Sequence, residues 1–129
     1  RELLTEIREA GVATALVTMS IGRMAHHVAD RLGFHGFDAV VSGDDVVASK
    51  PHPEPYLKGA AALGVDPRYC VALEDSVPGI ASARAAGTTV IGIPFIVPIE
   101  EGSAHVLWPT LEGRTLADLG RVLATSVAM

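Results

Sequence analysis

Two neighbouring carboxylates, Glu74 and Asp75, follow the apolar run at 71–73 and precede Ser76, a residue type that caps helices. Hard oxygen donors of this kind suit Mg²⁺, which takes one or two carboxylates and keeps water and substrate phosphate as its other ligands. The plain alternative is an acidic pair favoured by a helix dipole. Lys50, in the stretch ASKPHPEPY, sits in a proline-rich turn at the head of a helix. A cation there opposes the dipole, so it needs an anionic partner unless it points to solvent. Thr18 ends an apolar stretch, and the MSIG that follows offers backbone N–H groups leading into a helix, an arrangement that holds anions. Met19 and Ser20 are the expected carriers of those groups, although β-propensity alone also explains a threonine at a strand end. A hydroxyl, an ammonium and a carboxylate pair together suit a phosphoryl group held by electrostatic clamping.

These residues must be brought together by the elements around them. ELLTEIREAG carries Leu3, Ile7 and Ala10 at helical spacing and stops at Gly11. VATALVT reads as a strand, and IGRMAHHVADRLG as a helix with Met24, Val28 and Leu32 on one stripe and Gly33 as its stop. DAVVSG is a second strand. PEPYLKGAAALG allows a helix with prolines confined to its first turn and Gly64 at its end. CVALED is a third strand, SVPGIASARAAG a helix from Ser76 to Gly87, and TTVIGI a fourth strand. PFIVPIEEGSAHVLWPTLEG reads as an irregular arm with Trp108 as its core anchor. LADLGRVLATSV, capped by Thr115, is the last helix. Strands that are continuous apolar runs are buried on both faces. Alternation of such strands with helices predicts an α/β fold with a doubly wound parallel sheet. Ligands bind such sheets beyond the carboxyl ends of the strands. Thr18, the segment 43–45 and Glu74–Asp75 all fall on that edge.

Composition narrows the function. The 129 residues are one domain's worth, 49% hydrophobic and 19% charged, which argues against disorder. A net charge of −5 argues against a nucleic-acid or anionic-membrane surface. No apolar run reaches the length of a membrane helix. The single cysteine, Cys70, cannot form an internal disulfide and fits a reducing cytoplasm. It heads an apolar run and reads as a small buried hydrophobe.

Thr18 at a strand end, then SKPHPEPY with Lys50, then ALEDSVPGIASARAAG with Glu74 and Asp75, resembles the haloacid dehalogenase-like (HAD) hydrolase superfamily. The likeness is to its phosphoglycolate phosphatase and β-phosphoglucomutase branch, and it runs from about Arg1 to Ile93. The resemblance implies that Thr18 binds the transferring phosphoryl, that Lys50 balances charge, and that Asp75 with Glu74 binds Mg²⁺. It implies a flavodoxin-like core, a mobile cap, and a Mg²⁺-dependent phosphatase acting on a small phosphorylated metabolite through an aspartyl-phosphate. A sugar phosphomutase of the same superfamily and a non-catalytic interaction module are the alternatives.

The family's first motif, Asp-x-Asp on the first core strand, is absent. Its nearest candidate, Asp44-Asp45 after Gly43, reads as a turn and cap. The cap insertion is absent too, so residues 1–129 are expected to be the C-terminal part of one HAD-like core domain. That part needs the N-terminal segment of its own protein to complete fold and site, and by itself is expected to be neither active nor stably folded. A receiver domain would order its residues acids, Thr, Lys; here the order is Thr, Lys, acids. No G-x-G-x-x-G or P-loop supports nucleotide binding. His26 and His27, adjacent on a helix, diverge by about 100° and make no metal pair. His52 reads as a spacer and Arg23 as part of a solvated helix face.

Overall fold

The computed structural model describes residues 2–30, 36–94 and 98–128. Among these residues are five helices and five strands, alternating as far as β4: α1 (Glu2–Glu9), β1 (Ala15–Val17), α2 (Gly22–Asp30), β2 (Ala39–Val41), α3 (Glu54–Leu63), β3 (Val71–Glu74), α4 (Val77–Ala85), β4 (Thr89–Gly92), β5 (Val106–Leu107) and α5 (Leu116–Ala128). Short 3₁₀ turns at Gly43–Asp45 and Pro67–Tyr69 precede α3 and β3. The expected elements are present. Leu32 and Gly33, placed at the end of the second helix, lie outside the described residues, as do residues 95–97 of the arm. Of the rest of that arm, 106–107 is not irregular: it pairs in parallel with β4. Two residues are too few to show a strand's period.

The strands form two parallel sheets, β1–β2 and β3–β4–β5. Alternation of side chains sends neighbouring residues of the second sheet to opposite faces. Ala72 and Val90 meet Ile80 and Ala83 of α4 on one face, while Ile91 meets Leu3, Ile7, Trp108 and Leu119 from α1, α5 and the arm on the other. The sheet is therefore covered on both sides, and the fold is an α/β doubly wound core. Trp108 is buried as expected, with the Arg114 guanidinium 4.2 Å from its ring.

Local chemistry fixes the helix ends. Ser76 accepts the Gly79 N–H at the start of α4. At α5, Thr115 Oγ1 accepts the Asp118 N–H while the Asp118 carboxylate accepts the Thr115 N–H, a reciprocal cap. Gly64 closes α3 at φ 69°, a left-handed conformation that glycine adopts without the Cβ penalty.

Among the described residues, β1 and β3 do not pair with each other. Bonds to β2 use Thr14 and Thr18, and bonds from β4 reach the carbonyls of Cys70 and Glu74. In a parallel ladder the residues between face the opposite edge. The backbone groups of Ala15 and Val17 on β1, and of Val71 and Leu73 on β3, are thus turned away from their partner strands.

Candidate active site

A cleft of about 830 Å³ opens between the carboxyl ends of β1 and β3. Val17, Thr18 and Met19 line it from β1, Glu74 and Asp75 from β3, and Lys50 closes it from the turn before α3. Ile93, Pro94 and the segment 109–111 form its far wall. Five of the six residues marked out by sequence therefore converge. Ser20 stands beside the cleft rather than in its lining; its N–H is given to Thr18 Oγ1 at 3.2 Å, and its carbonyl accepts the Gly43 N–H at 2.8 Å. Gly43 is required there by space, since a Cβ would lie 2.5 Å from the Met19 carbonyl oxygen.

The first turn of α2 is partly spoken for. Its Gly22 N–H donates to Asp44 Oδ2 at 2.8 Å. Asp45 Oδ2 takes the Ser42 N–H and hydroxyl at 2.8 and 3.0 Å. Those bonds, the Ser42 N–H first, hold the Asp45 carboxyl below its usual range. The Asp44-Asp45 pair is therefore a turn and cap, as its sequence context suggested.

Lys50 is held by a braced loop. The Glu54 carboxylate accepts the N–H groups of Val47 and Ala48, both at 2.9 Å, and these bonds lower its pKa. The buried Ser82 hydroxyl donates to the His52 carbonyl at 2.6 Å, and His52 Nδ1 accepts the Glu54 N–H at 3.1 Å. His52 is thus a loop strut. From this seat the Lys50 ammonium donates to the Val17 carbonyl at 3.1 Å and to Glu74 Oε2 at 2.5 Å. It joins the end of one sheet to the end of the other.

Glu74 is buried, and its short contacts fall on Oε2. Besides Lys50, the Tyr56 hydroxyl donates to Oε2 at 2.5 Å, and the Ser76 hydroxyl lies 3.4 Å from Oε1. Burial first, and then the Glu74 charge, pushes the Tyr56 pKa far above the phenol range, so the hydroxyl is a donor. Gly79 faces the same carboxylate, and a Cβ there would fall 1.9 Å from Oε1. Tyr56 and Gly79 lie inside the two quoted motifs, yet sequence reasoning gave neither a role. A tyrosine six residues past a lysine has no period that announces contact.

Asp75 differs from its neighbour. It is exposed in the cleft, and among the described residues its carboxylate makes no hydrogen bond or ion pair. No three His, Cys, Asp or Glu side chains among those residues gather into a metal site of their own. One free carboxylate with a second beside it still fits Mg²⁺, which takes few protein ligands and fills its shell with water and phosphate. Cys70 is half-buried, and burial raises its thiol pKa, which opposes a nucleophilic role.

Comparison with known proteins identifies the family. Residues 1–87 match the family model for haloacid dehalogenase-like hydrolase. Hexitol phosphatase B of Escherichia coli strain K12 is 41% identical over 95 residues, covering 73% of this chain and 43% of that protein. N-acetylmuramic acid 6-phosphate phosphatase of Pseudomonas aeruginosa is 36% identical over 106 residues, covering 81% and 47%. The crystal structure of CbbY from Rhodobacter sphaeroides in complex with phosphate superposes with a TM-score of 0.86 at 30% identity, over 92% of this chain and 56% of that one. The chain thus spans about half the length of the relatives it matches. With its fold and its ordered Thr–Lys–acid motifs, the chain belongs to the haloacid dehalogenase-like hydrolases.

Proposed function

We propose that the protein containing this chain is a Mg²⁺-dependent phosphatase of small phosphomonoesters, working through an aspartyl-phosphate. The observation that carries this reading is the position of Lys50. Its ammonium spans Val17 and Glu74 at the mouth of a cleft flanked by β1 and β3, each of which, among the described residues, lacks a second strand partner on one side. One further parallel strand between β1 and β3, from the N-terminal segment of the same protein, would satisfy both edges. It would also bring the nucleophilic aspartate that these motifs lack.

In this reading the phosphoryl group passes from the ester oxygen to that carboxylate, and the ester oxygen takes a proton from solvent and leaves as the alcohol. Water then hydrolyses the acyl phosphate to inorganic phosphate and the free carboxylate. Thr18 and the backbone of Met19 and Ser20 bind the phosphoryl oxygens, and Lys50 offsets their charge. Asp75, with Glu74 beside it, would hold Mg²⁺, which supplies charge neutralisation and orientation when bound. The two curated phosphatases and the phosphate-bound relative support a small phosphorylated metabolite as substrate. One cysteine fits a cytoplasmic setting, and no described helix is long and apolar enough to cross a membrane.

The whole protein should hydrolyse a generic aryl phosphate in Mg²⁺ and stop in excess chelator. Hydrolysis that is absent in Mg²⁺, or indifferent to chelator, would refute the proposal.

A further inference from the structure

We infer that Tyr56 is the positioning residue for Lys50, acting through the Glu74 carboxylate. This rests on the proposed phosphatase reading, which makes Lys50 a partner of the phosphoryl group. Tyr56 packs against the core formed by Ala72, Ile80 and Val90, so its ring has a fixed seat. From that seat its hydroxyl donates to Glu74 Oε2 at 2.5 Å, the same oxygen that Lys50 contacts at 2.5 Å. The Lys50 ammonium also lies 5.1 Å from the ring centroid.

The geometry separates two jobs. A long lysine side chain has high rotamer entropy, and an ion pair alone leaves its head free to follow a moving carboxylate. Here the carboxylate is tethered by a donor that belongs to the core, so the charge it anchors is fixed relative to β3. Preorganised charge stabilises a transition state because no reorganisation is needed at the moment of reaction. The hydroxyl therefore acts on turnover without touching substrate. Tyr56→Phe removes the donor and keeps the ring, its packing and its cation–π contact.

The test uses the full-length protein with an aryl phosphate in saturating Mg²⁺. Tyr56→Phe is expected to lower kcat about tenfold with KM unchanged, the scale of one hydrogen bond to a charged group. Lys50→Met combined with Tyr56→Phe should be no slower than Lys50→Met alone, because the hydroxyl acts only through the lysine. Lys50 and Lys58 are the chain's only lysines, so Lys58 serves as an internal reference. Brief acetic anhydride labelling at one pH, read by mass spectrometry, should give a Lys50 to Lys58 ratio in Tyr56→Phe that differs severalfold from the parent's, because the carboxylate that holds the ammonium has lost its second donor. An unchanged ratio, an unchanged kcat, or losses that multiply in the double variant would each overturn the inference. A parent protein without phosphatase activity would instead refute the proposed function, and the labelling ratio would still decide whether Tyr56 positions Lys50.

Discussion

Lys50 and Glu74 reach each other from separate elements, one from a proline-rich turn and one from a strand end, and meet at 2.5 Å with side chains only 13% and 6% exposed. The pair is built into the wall of the cleft rather than laid on the surface. A buried ion pair is poor support for stability, since desolvation of the two charges offsets their attraction. Its position at the cleft argues for function.

Replacing the ammonium should therefore cost turnover. Lys50→Met is expected to lower kcat of the whole protein by about two to three orders of magnitude, the scale of one preorganised electrostatic partner. Lys50→Arg should rescue only in part, because a planar fork does not replace a compact ammonium. A variant with normal kcat and a lowered melting temperature would assign Lys50 to structure alone.

Gly79 offers a second, independent handle on the same carboxylate. A Cβ there would stand 1.9 Å from Glu74 Oε1, so Gly79→Ala must push the carboxylate away from Lys50 and Tyr56. The exchange also favours the helix intrinsically, by up to about 1 kcal/mol. We expect kcat to fall about tenfold or more, the scale of a lost hydrogen bond to a charge. Steady-state kinetics beside a thermal melt would check it; an unaffected kcat would show that Glu74 moves without consequence.

The brace behind Lys50 carries a pH signature. The pKa of Glu54 lies below its ordinary 4.5 because its carboxylate accepts the Ala48 and Val47 N–H groups. A lowered folded value means stability present above the unfolded pKa and lost as pH falls through the folded one. Glu54→Gln should thus show a smaller drop in melting temperature than the parent between about pH 6 and about pH 3. An identical acid limb in the two proteins would show that the Glu54 charge contributes nothing to the loop.

Much of this was legible in the sequence because it rests on local rules. Ser76, Thr115 and Gly64 are cap signals, and each sits where its helix begins or ends. The apolar runs of β3 and β4 announced a sheet covered on both faces. What stayed hidden depends on long-range contact. Tyr56 reaches Glu74 across 18 residues of chain, and Lys50 reaches Val17 across 33. Neither separation leaves a periodic trace. β5 escaped because a two-residue strand exists only through its pairing with β4. Glu74 and Asp75, read as one acidic pair, are divided by strand alternation into a buried partner of Lys50 and an exposed carboxylate in the cleft.

The unpaired edges of β1 and β3 lead to an expectation for the isolated chain. A strand of about five residues is missing from between them in the proposed complete sheet. Ala15, Val17 and Val71 are left half-buried and Leu73 exposed where that strand would cover them. Burial of such apolar surface stabilises by about 25 cal/mol per Å², against about 5–15 kcal/mol of net stability for a whole domain. Residues 1–129 expressed alone should aggregate or unfold without a cooperative transition, and should recover when co-expressed with the N-terminal segment of their protein. A soluble monomer with a cooperative denaturant transition in near-UV circular dichroism would contradict the inserted-strand proposal.

The most direct test of the proposed phosphatase lies at Asp75, the free carboxylate of the cleft. The measurement is Mg²⁺-dependent hydrolysis of an aryl phosphate by the full-length protein and by its Asp75→Asn variant, at matched fold content by circular dichroism. Loss of a principal metal ligand removes orientation and charge stabilisation together, so the variant should show no Mg²⁺-dependent turnover above background. A variant that retains activity within about threefold of the parent, well short of the several kcal/mol expected of a metal ligand, would contradict the assignment of this cleft as a metal-assisted phosphoryl-transfer site.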